Sequence, residues 1–355
     1  MIVSPPAALG RILLLLAAAL AASAADARIV REDHHVTGSD GVRLFVRELI
    51  DDDIRQSGPP LLLLHGARVP GIASFDLPVP GGSLAADLAA AGHRVFVMDA
   101  RGYGRSTRPP AMQTPPAGPP LVQSHEVVRD IAAVVDWIGE RTGGRRIALL
   151  GWATGGHWCG MYASLHPERV SHLVILNSLY GGHRGHPRLG PGSSLASPAA
   201  PDRFDAEGVG AYRLNSAASL LRSWDDSVPV EDKSAWRDPA IVAAYQAEAL
   251  RSDTDSGSRT PPSFRAPSGA LEDSFYLASG RQLWDAASIT APVLILRSER
   301  DFWSRPEDVT TLQAHLVRAA SVRAVTIPDA THFVHLDRPE RGRQLLVAEI
   351  IAFLH

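Results

Sequence analysis

Three positions in this sequence carry the pattern of proton-transfer and acyl-transfer chemistry. The first lies in Leu149 to Trp158, "LLGWATGGHW", where an apolar run gives way to glycines in the form Gly-x-nucleophile-x-Gly. That pattern folds as strand, tight turn and helix, and it presents the central side chain at the top of a sheet. Here the central residue is Ala153, whose methyl group offers neither a lone pair nor a proton. The other two are Asp301, after "PVLILRSER", and His332, after "VTIPDAT". A carboxylate and an imidazole brought to neighbouring strand ends can hold and move a proton near neutral pH.

The elements that position these residues are legible in the hydrophobic rhythm. From about Val42, short apolar runs alternate with helical patterns, which predicts an α/β fold with a mostly parallel central sheet flanked by helices. "VRLFVREL" reads as an early edge strand. "PLLLLHG", "RVFVMDARG", "RIALLGW", "HLVILNS", "PVLILRSERD" and "VRAVTIPDATH" read as strands buried on both faces, with polar residues at their carboxyl ends, where open parallel sheets gather ligand chemistry. Val127, Ile131, Val134, Val135 and Ile138 recur at helical spacing, with Ser124 as the expected cap. A second helix is expected directly after Ala153, where Gly155, Gly156, Gly160 and Ala163 let it lie close to the sheet, and "RGRQLLVAEIIAFLH" supplies a C-terminal one.

Between about Tyr180 and Ser288 the rhythm breaks. A Gly/Pro/Ser-rich stretch, "GGHRGHPRLGPGSSLASPAAP", precedes three helix-like pieces around "SAASLLRSW", "PAIVAAYQAEAL" and "LEDSFYLASGRQLWD". The sequence thus divides into a leader over 1–24, a first core part over 25–180, an inserted, mainly helical cap over 181–288 and a second core part over 289–355. In the leader, Arg11 precedes an apolar run from Ile12 that ends in Ala22, Ser23 and Ala24, the layout of a cleaved secretory signal. An uncleaved anchor is the alternative, but the run is short of the ~20 residues that cross a bilayer. The expectation is a secreted or periplasmic protein without stable membrane insertion. A net charge of −3 and the absence of any basic run interleaved with aromatics exclude nucleic acid as a partner class. Cys159 is the only cysteine, so no intramolecular disulfide forms.

Four motifs, each after a strand, occur in order: "HGA" at His65 to Ala67, "DARGYGRS" at Asp99 to Ser106, "GWATGG" at Gly151 to Gly156, and "HFVHLDRPE" from His332. Together with the chain order of Ala153, Asp301 and His332 they resemble the capped members of the α/β-hydrolase superfamily, from roughly residue 40 to the C-terminus. The resemblance implies His332 as base, Asp301 as its orienting acid, and the backbone N–H groups of Ala67 and Thr154 as oxyanion donors. It also implies a small-molecule ester or related carbonyl substrate and no cofactor.

Other candidates read more plainly. Without the pattern, Asp301 would be a loop acid paired with Arg300. His335 reads as structural, Asp99 to Ser106 as a glycine turn with an ion-pair corner, and Cys159 as a small hydrophobe. His183 and His186, in a Gly/Pro loop without nearby acids, are a poor metal-ligand set. Trp158, Trp284, Phe302, Trp303 and Phe333 are core or pocket wall. By position, Arg101, Arg105 and the cap aromatics are candidates for the pocket entrance.

Ala153 leaves three readings open. Alanine replaces a serine in an otherwise ordinary hydrolase, although the retained leader speaks against a deliberate replacement. Alternatively, His332 and Asp301 work without a nucleophile, activating water or taking a proton from the substrate as in cofactor-free lyase or oxygenase relatives. In the third reading the chain is a degenerate hydrolase that binds a small apolar ligand. Thr154 as nucleophile would put Trp152 where the turn needs a small residue. A histidine base is lost on protonation, so with His332 in that role the rate falls steadily on acidification; a flat rate profile from about pH 8 to 5 rules the role out.

Overall fold

The computed structural model describes residues 28–38 and 40–355; the leader over 1–24 lies outside the described residues. Eight strands form the central sheet: β1 (Ile29–Thr37), β2 (Arg43–Asp51), β3 (Leu61–Leu64), β4 (Val95–Met98), β5 (Ile147–Trp152), β6 (Val170–Leu176), and, after an insertion, the two that close it. The insertion carries two antiparallel ribbons, β7 (Ala196–Ser197) with β8 (Ala200–Phe204), and β9 (Tyr212–Ser216) with β10 (Ser263–Pro267). The closing strands are β11 (Val293–Arg300) and β12 (Val322–Thr331). Sheet order is β1-β2-β4-β3-β5-β6-β11-β12, antiparallel at β1/β2 and β2/β4 and parallel elsewhere. The longer helices are α1 (Leu84–Ala90), α2 (Ser124–Arg141), α3 (Thr154–Leu165), α4 (Pro239–Arg251), α5 (Gly269–Leu277), α6 (Pro306–His315) and α7 (Arg343–Leu354). Among the described residues, no helix is long and apolar enough to cross a membrane.

Continuous apolar strands follow from coverage on both faces. In β3, Leu61 and Leu63 join the core under α1 and α7, while Leu62 and Leu64 join the core under α2 and α3. All four leucines are fully buried, and each stabilises the fold by about 2 kcal/mol. The stripe Val127, Ile131, Val134, Val135 and Ile138 faces the sheet from α2 as its spacing predicts.

Two expectations need correction. "VRLFVREL" is not the edge strand, because β1 pairs outside it along its whole length, Ile29 opposite Asp51 to Thr37 opposite Arg43. Its sequence, "IVREDHHVT", is largely polar because an edge strand can be held by backbone bonds while its side chains face water. Nor does Ser124 cap α2. It is the first helical residue, and its hydroxyl donates to Asp273 in the insertion at 2.6 Å.

The insertion adds no strand to the central sheet and is fastened to the core by buried polar contacts. His157 on α3 accepts from Trp284 Nε1 at its Nδ1 (3.0 Å) and reaches Ser124 Oγ with its Nε2 (2.9 Å). His186 accepts from the Arg188 N–H at Nδ1 (3.1 Å) and donates from Nε2 to the Trp303 carbonyl (2.9 Å). Burial pushes both imidazoles down, to about 3 for His157 and about 4 for His186, where the Arg305 charge adds to the effect. Both are therefore neutral in the fold.

The sign of their pH effect follows. Protonation favours the unfolded chain, so the stability they contribute is complete above about pH 6.5 and is lost as pH falls toward 4 for His186 and toward 3 for His157. We expect a progressive fall in Tm over that window. The double variant His157→Gln/His186→Gln should lose Tm at pH 7 yet show the shallower pH dependence, and parallel Tm–pH curves for the two proteins would refute the assignment.

Candidate active site

Ala153 occupies the turn between β5 and α3 with φ 53° and ψ −121°, a conformation that L-residues rarely adopt and that costs on the order of 1–3 kcal/mol. Backbone packing enforces it. A Cβ on Gly155 would lie 2.2 Å from the Leu64 carbonyl oxygen, and one on Gly151 would lie 2.2 Å from the Gly155 carbonyl. Only glycines let α3 start this close to β3 and β5. The Ala153 N–H donates to the Leu176 carbonyl (2.9 Å), anchoring the turn to β6.

Asp301 and His332 meet at the carboxyl ends of β11 and β12. His332 Nδ1 lies 2.6 Å from Asp301 Oδ1, and both residues are buried. Asp301 also accepts from the Trp303 N–H (2.9 Å), the Ser304 N–H (2.9 Å) and the Ser304 hydroxyl. Burial pushes this carboxyl up, but the His332 charge and these hydrogen bonds outweigh it and hold the group below the ordinary carboxylate value. Asp301 is thus an anion with filled acceptor sites. It is not paired with Arg300, which bonds Asp329 at 2.8 Å.

The His332 carbonyl receives Trp152 Nε1 (3.0 Å) and Asn177 Nδ2 (3.1 Å). Asp337 ties down the same loop, accepting from the Thr331 N–H (3.1 Å) and hydroxyl (2.7 Å) and, from the insertion, Trp224 Nε1 (2.8 Å). Burial raises the Asp337 carboxyl to about 6 despite these bonds.

The loop after β3 carries Ala67. His65 accepts from the Ala100 N–H at Nε2 (3.2 Å) and so donates from Nδ1 to the Gly66 carbonyl (2.7 Å). Tyr103 donates its hydroxyl to the Ala67 carbonyl (3.0 Å). The N–H groups of Ala67 and of Thr154, the first residue of α3, find no acceptor among the described residues. The Thr154 hydroxyl is buried without a partner and makes no bond to His332.

Ala67, Ala153, Thr154 and His332 line one cavity of about 210 Å³. Its wall is largely apolar, with Trp152, Phe302, Trp303 and Phe333 among the lining aromatics. Trp158 and Trp284 are core instead. Arg101 and Arg105 do not line it. Arg101 is clamped on Asp130, with Nε at 2.9 Å from Oδ1, and Arg105 bonds Asp33 (2.7 Å). The arginines at the cavity are Arg68 and Arg213. Arg68 donates to Asn215 Oδ1 (2.8 Å) and to Ser219, and Arg213 Nη2 donates to the Ala67 carbonyl (3.1 Å). Burial lowers Arg213 to about 10, still charged at neutral pH; Tyr103 opposes this and the Arg68 charge adds to it.

His335 is fully buried against Trp152 and Phe75, and burial drives it neutral. Cys159 is buried, with its thiol pushed up by desolvation. One group among the described residues, Glu32, His34 and Glu48, lies close enough to share a cation, but it sits on β1 and β2, and Arg94 and Arg141 already pair with Glu48.

A family model described as the alpha/beta hydrolase fold matches residues 59–339. The chain belongs to that family. Among its relatives, a haloalkane dehalogenase from Mycobacterium marinum is 25% identical over 303 residues, covering 83% of this chain and 86% of the relative. Epoxide hydrolase B from Mycobacterium tuberculosis is 28% identical over 149 residues, a match that spans 42% of this chain and only 36% of that protein. In structure, a thioesterase domain from the curacin biosynthetic pathway overlays with a TM-score of 0.56 at 16% identity, covering 91% of this chain and 99% of the domain.

In this alpha/beta hydrolase fold, "DARGYGRS" is a scaffold motif. Asp99 accepts from the Gly71 and Arg105 N–H groups (2.7 and 2.9 Å), and a Cβ on Gly104 would strike its carboxylate. The turn that holds Ala153 depends on Gly155 in the same way. Gly155→Ala should therefore cost at least about 3 kcal/mol in chemical denaturation, whereas Gly257→Ala, at a position with open space, should shift stability far less. Equal effects would show that the turn does not rest on this contact.

Proposed function

We propose that this protein is a hydrolase of a small-molecule ester or related carbonyl compound, with His332 as base and Asp301 as its orienting acid. The observation that carries the reading is the 2.6 Å bond between His332 Nδ1 and Asp301, which leaves Nε2 as the free nitrogen of a ring lining the same cavity as Ala153. The epoxide hydrolase among its relatives fits a site in which water is the second reactant. The leader over 1–24, read from sequence, supports export.

The mechanism follows from the groups present. A water beside the Ala153 methyl gives a proton to His332 Nε2 as its oxygen bonds to the substrate carbonyl carbon. Asp301 stabilises the resulting imidazolium. The Ala67 and Thr154 N–H groups receive the negative charge on the carbonyl oxygen, the second at a helix N-terminus that favours an anion. Collapse breaks the bond to the leaving oxygen, which takes the proton back from His332, giving an acid and an alcohol. No covalent enzyme intermediate forms.

A second reading, a serine hydrolase lacking only its serine, draws on the strained backbone of Ala153, which keeps the nucleophile's conformation under a methyl group. Hydrolysis of short and medium p-nitrophenyl esters separates the two. With water as nucleophile, the unaltered protein turns over, and His332→Ala slows it by about 100-fold or more. If turnover appears only in Ala153→Ser and vanishes on adding His332→Ala, the second reading holds. Silence from every variant on these esters and on 4-nitrophenyl hemiglutarate alike would sink both.

A further inference from the structure

We propose that the cavity receives a substrate carboxylate, with Arg213 as the binding residue and Arg68 assisting. This names the substrate class of the hydrolase reading above: an ester or related carbonyl compound that bears a free acid.

Arg213 lies on β9, where strand alternation places it on the same side as Asn215, and both line the cavity. Among the described residues its side chain makes a single hydrogen bond, from Nη2 to the Ala67 carbonyl. Its Nε is sealed from solvent and meets no acceptor. Since a guanidinium carries five N–H donors, most of its capacity is unused. Arg68 spends Nε and Nη2 on Asn215 and Ser219, which are neutral.

Among the described residues no carboxylate lines this cavity, and neither arginine takes part in a salt bridge. Elsewhere the fold does the opposite. Its four most deeply buried arginines each meet an acid: Arg101 with Asp130 (2.5 Å), Arg265 with Asp253 (2.7 Å), Arg343 with Asp87 (2.5 Å) and Arg237 with Asp225. A desolvated cation without a counter-ion is unfavourable, and two side by side are more so. The partner must come from outside, and a planar carboxylate matches the guanidinium fork.

Position sets the size of the ligand. The carbonyl of Ala67 is bound by Arg213, while its N–H, without an acceptor among the described residues, is an oxyanion donor of the hydrolase reading. A carboxylate on Arg213 is thus one residue away from where the reacting carbonyl sits, which suits an ester of a short dicarboxylic acid.

Calorimetric titration of the full chain with succinate, glutarate and adipate, each against its neutral diamide, tests this without catalysis. The expectation is that at least one dianion binds about tenfold or more tighter than its diamide. Arg213→Gln should remove that preference without lowering Tm, Arg213→Lys should restore part of it, and Arg68→Gln should weaken it. Equal binding of acid and diamide, no binding by any of the series, or an unchanged preference in Arg213→Gln would overturn the proposal. Should Arg213→Gln fail to fold, the acid-over-diamide preference of the unaltered protein decides the matter.

Rates on 4-nitrophenyl hemiglutarate and 4-nitrophenyl butyrate, measured in the unaltered and Ala153→Ser proteins, separate this proposal from the hydrolase reading. Equal cleavage of both esters leaves the hydrolase standing and removes the carboxylate site. Arg213-dependent glutarate binding with neither ester cleaved leaves the carboxylate site standing and removes the hydrolase.

Discussion

The close approach of α3 to β3 and β5 governs the rest of the site. Gly155 lies against the Leu64 and His65 carbonyls and Gly151 against Gly155, so no side chain separates helix from sheet. That contact fixes the positive φ of Ala153, directs its methyl into the cavity, and opens the N-terminus of α3 toward the same space. It also constrains the Ala67 loop, since a Cβ added to Gly66 would come within 3.3 Å of the Ala153 Cβ. One backbone-to-backbone contact thereby sets three positions that line the cavity.

The polar groups around the cavity fall into two sets. Asp301 is fully satisfied: a histidine, two backbone N–H groups and a serine hydroxyl hold its charge, so it remains an anion despite burial. Arg68 and Arg213 are the reverse, charges held by neutral acceptors only. A stable core avoids the second arrangement, whereas a binding site tolerates it, because an incoming ligand completes the electrostatics. Local instability at such positions is where structure and function diverge.

Much of this was readable in the sequence, and the reasons are physical. Ala153, Asp301 and His332 each follow an apolar run, and a parallel sheet brings the ends of such runs together whatever the helices between them contain. The glycines of "GWATGG" announce a tight turn by themselves. Strand β1 was missed because it is polar and is recruited through backbone bonds to β2. Arg213, Arg68, Trp224 and Asp337 carried no local signal. Their roles arise only when the insertion folds back over the sheet, a long-range event that spacing does not encode, as with Trp224 and Asp337, 113 residues apart. Arg101 and Arg105 were candidates for the pocket entrance by position, but Asp130 and Asp33 already hold them.

The strained turn also bears on how such a protein can diverge. Since glycine packing rather than the residue itself imposes the geometry, position 153 acts as a socket whose shape is indifferent to its occupant. Any small side chain placed there inherits the same exposure, the same neighbouring imidazole and the same pair of N–H donors. The scaffold around position 153 therefore needs no rebuilding when one small residue there replaces another.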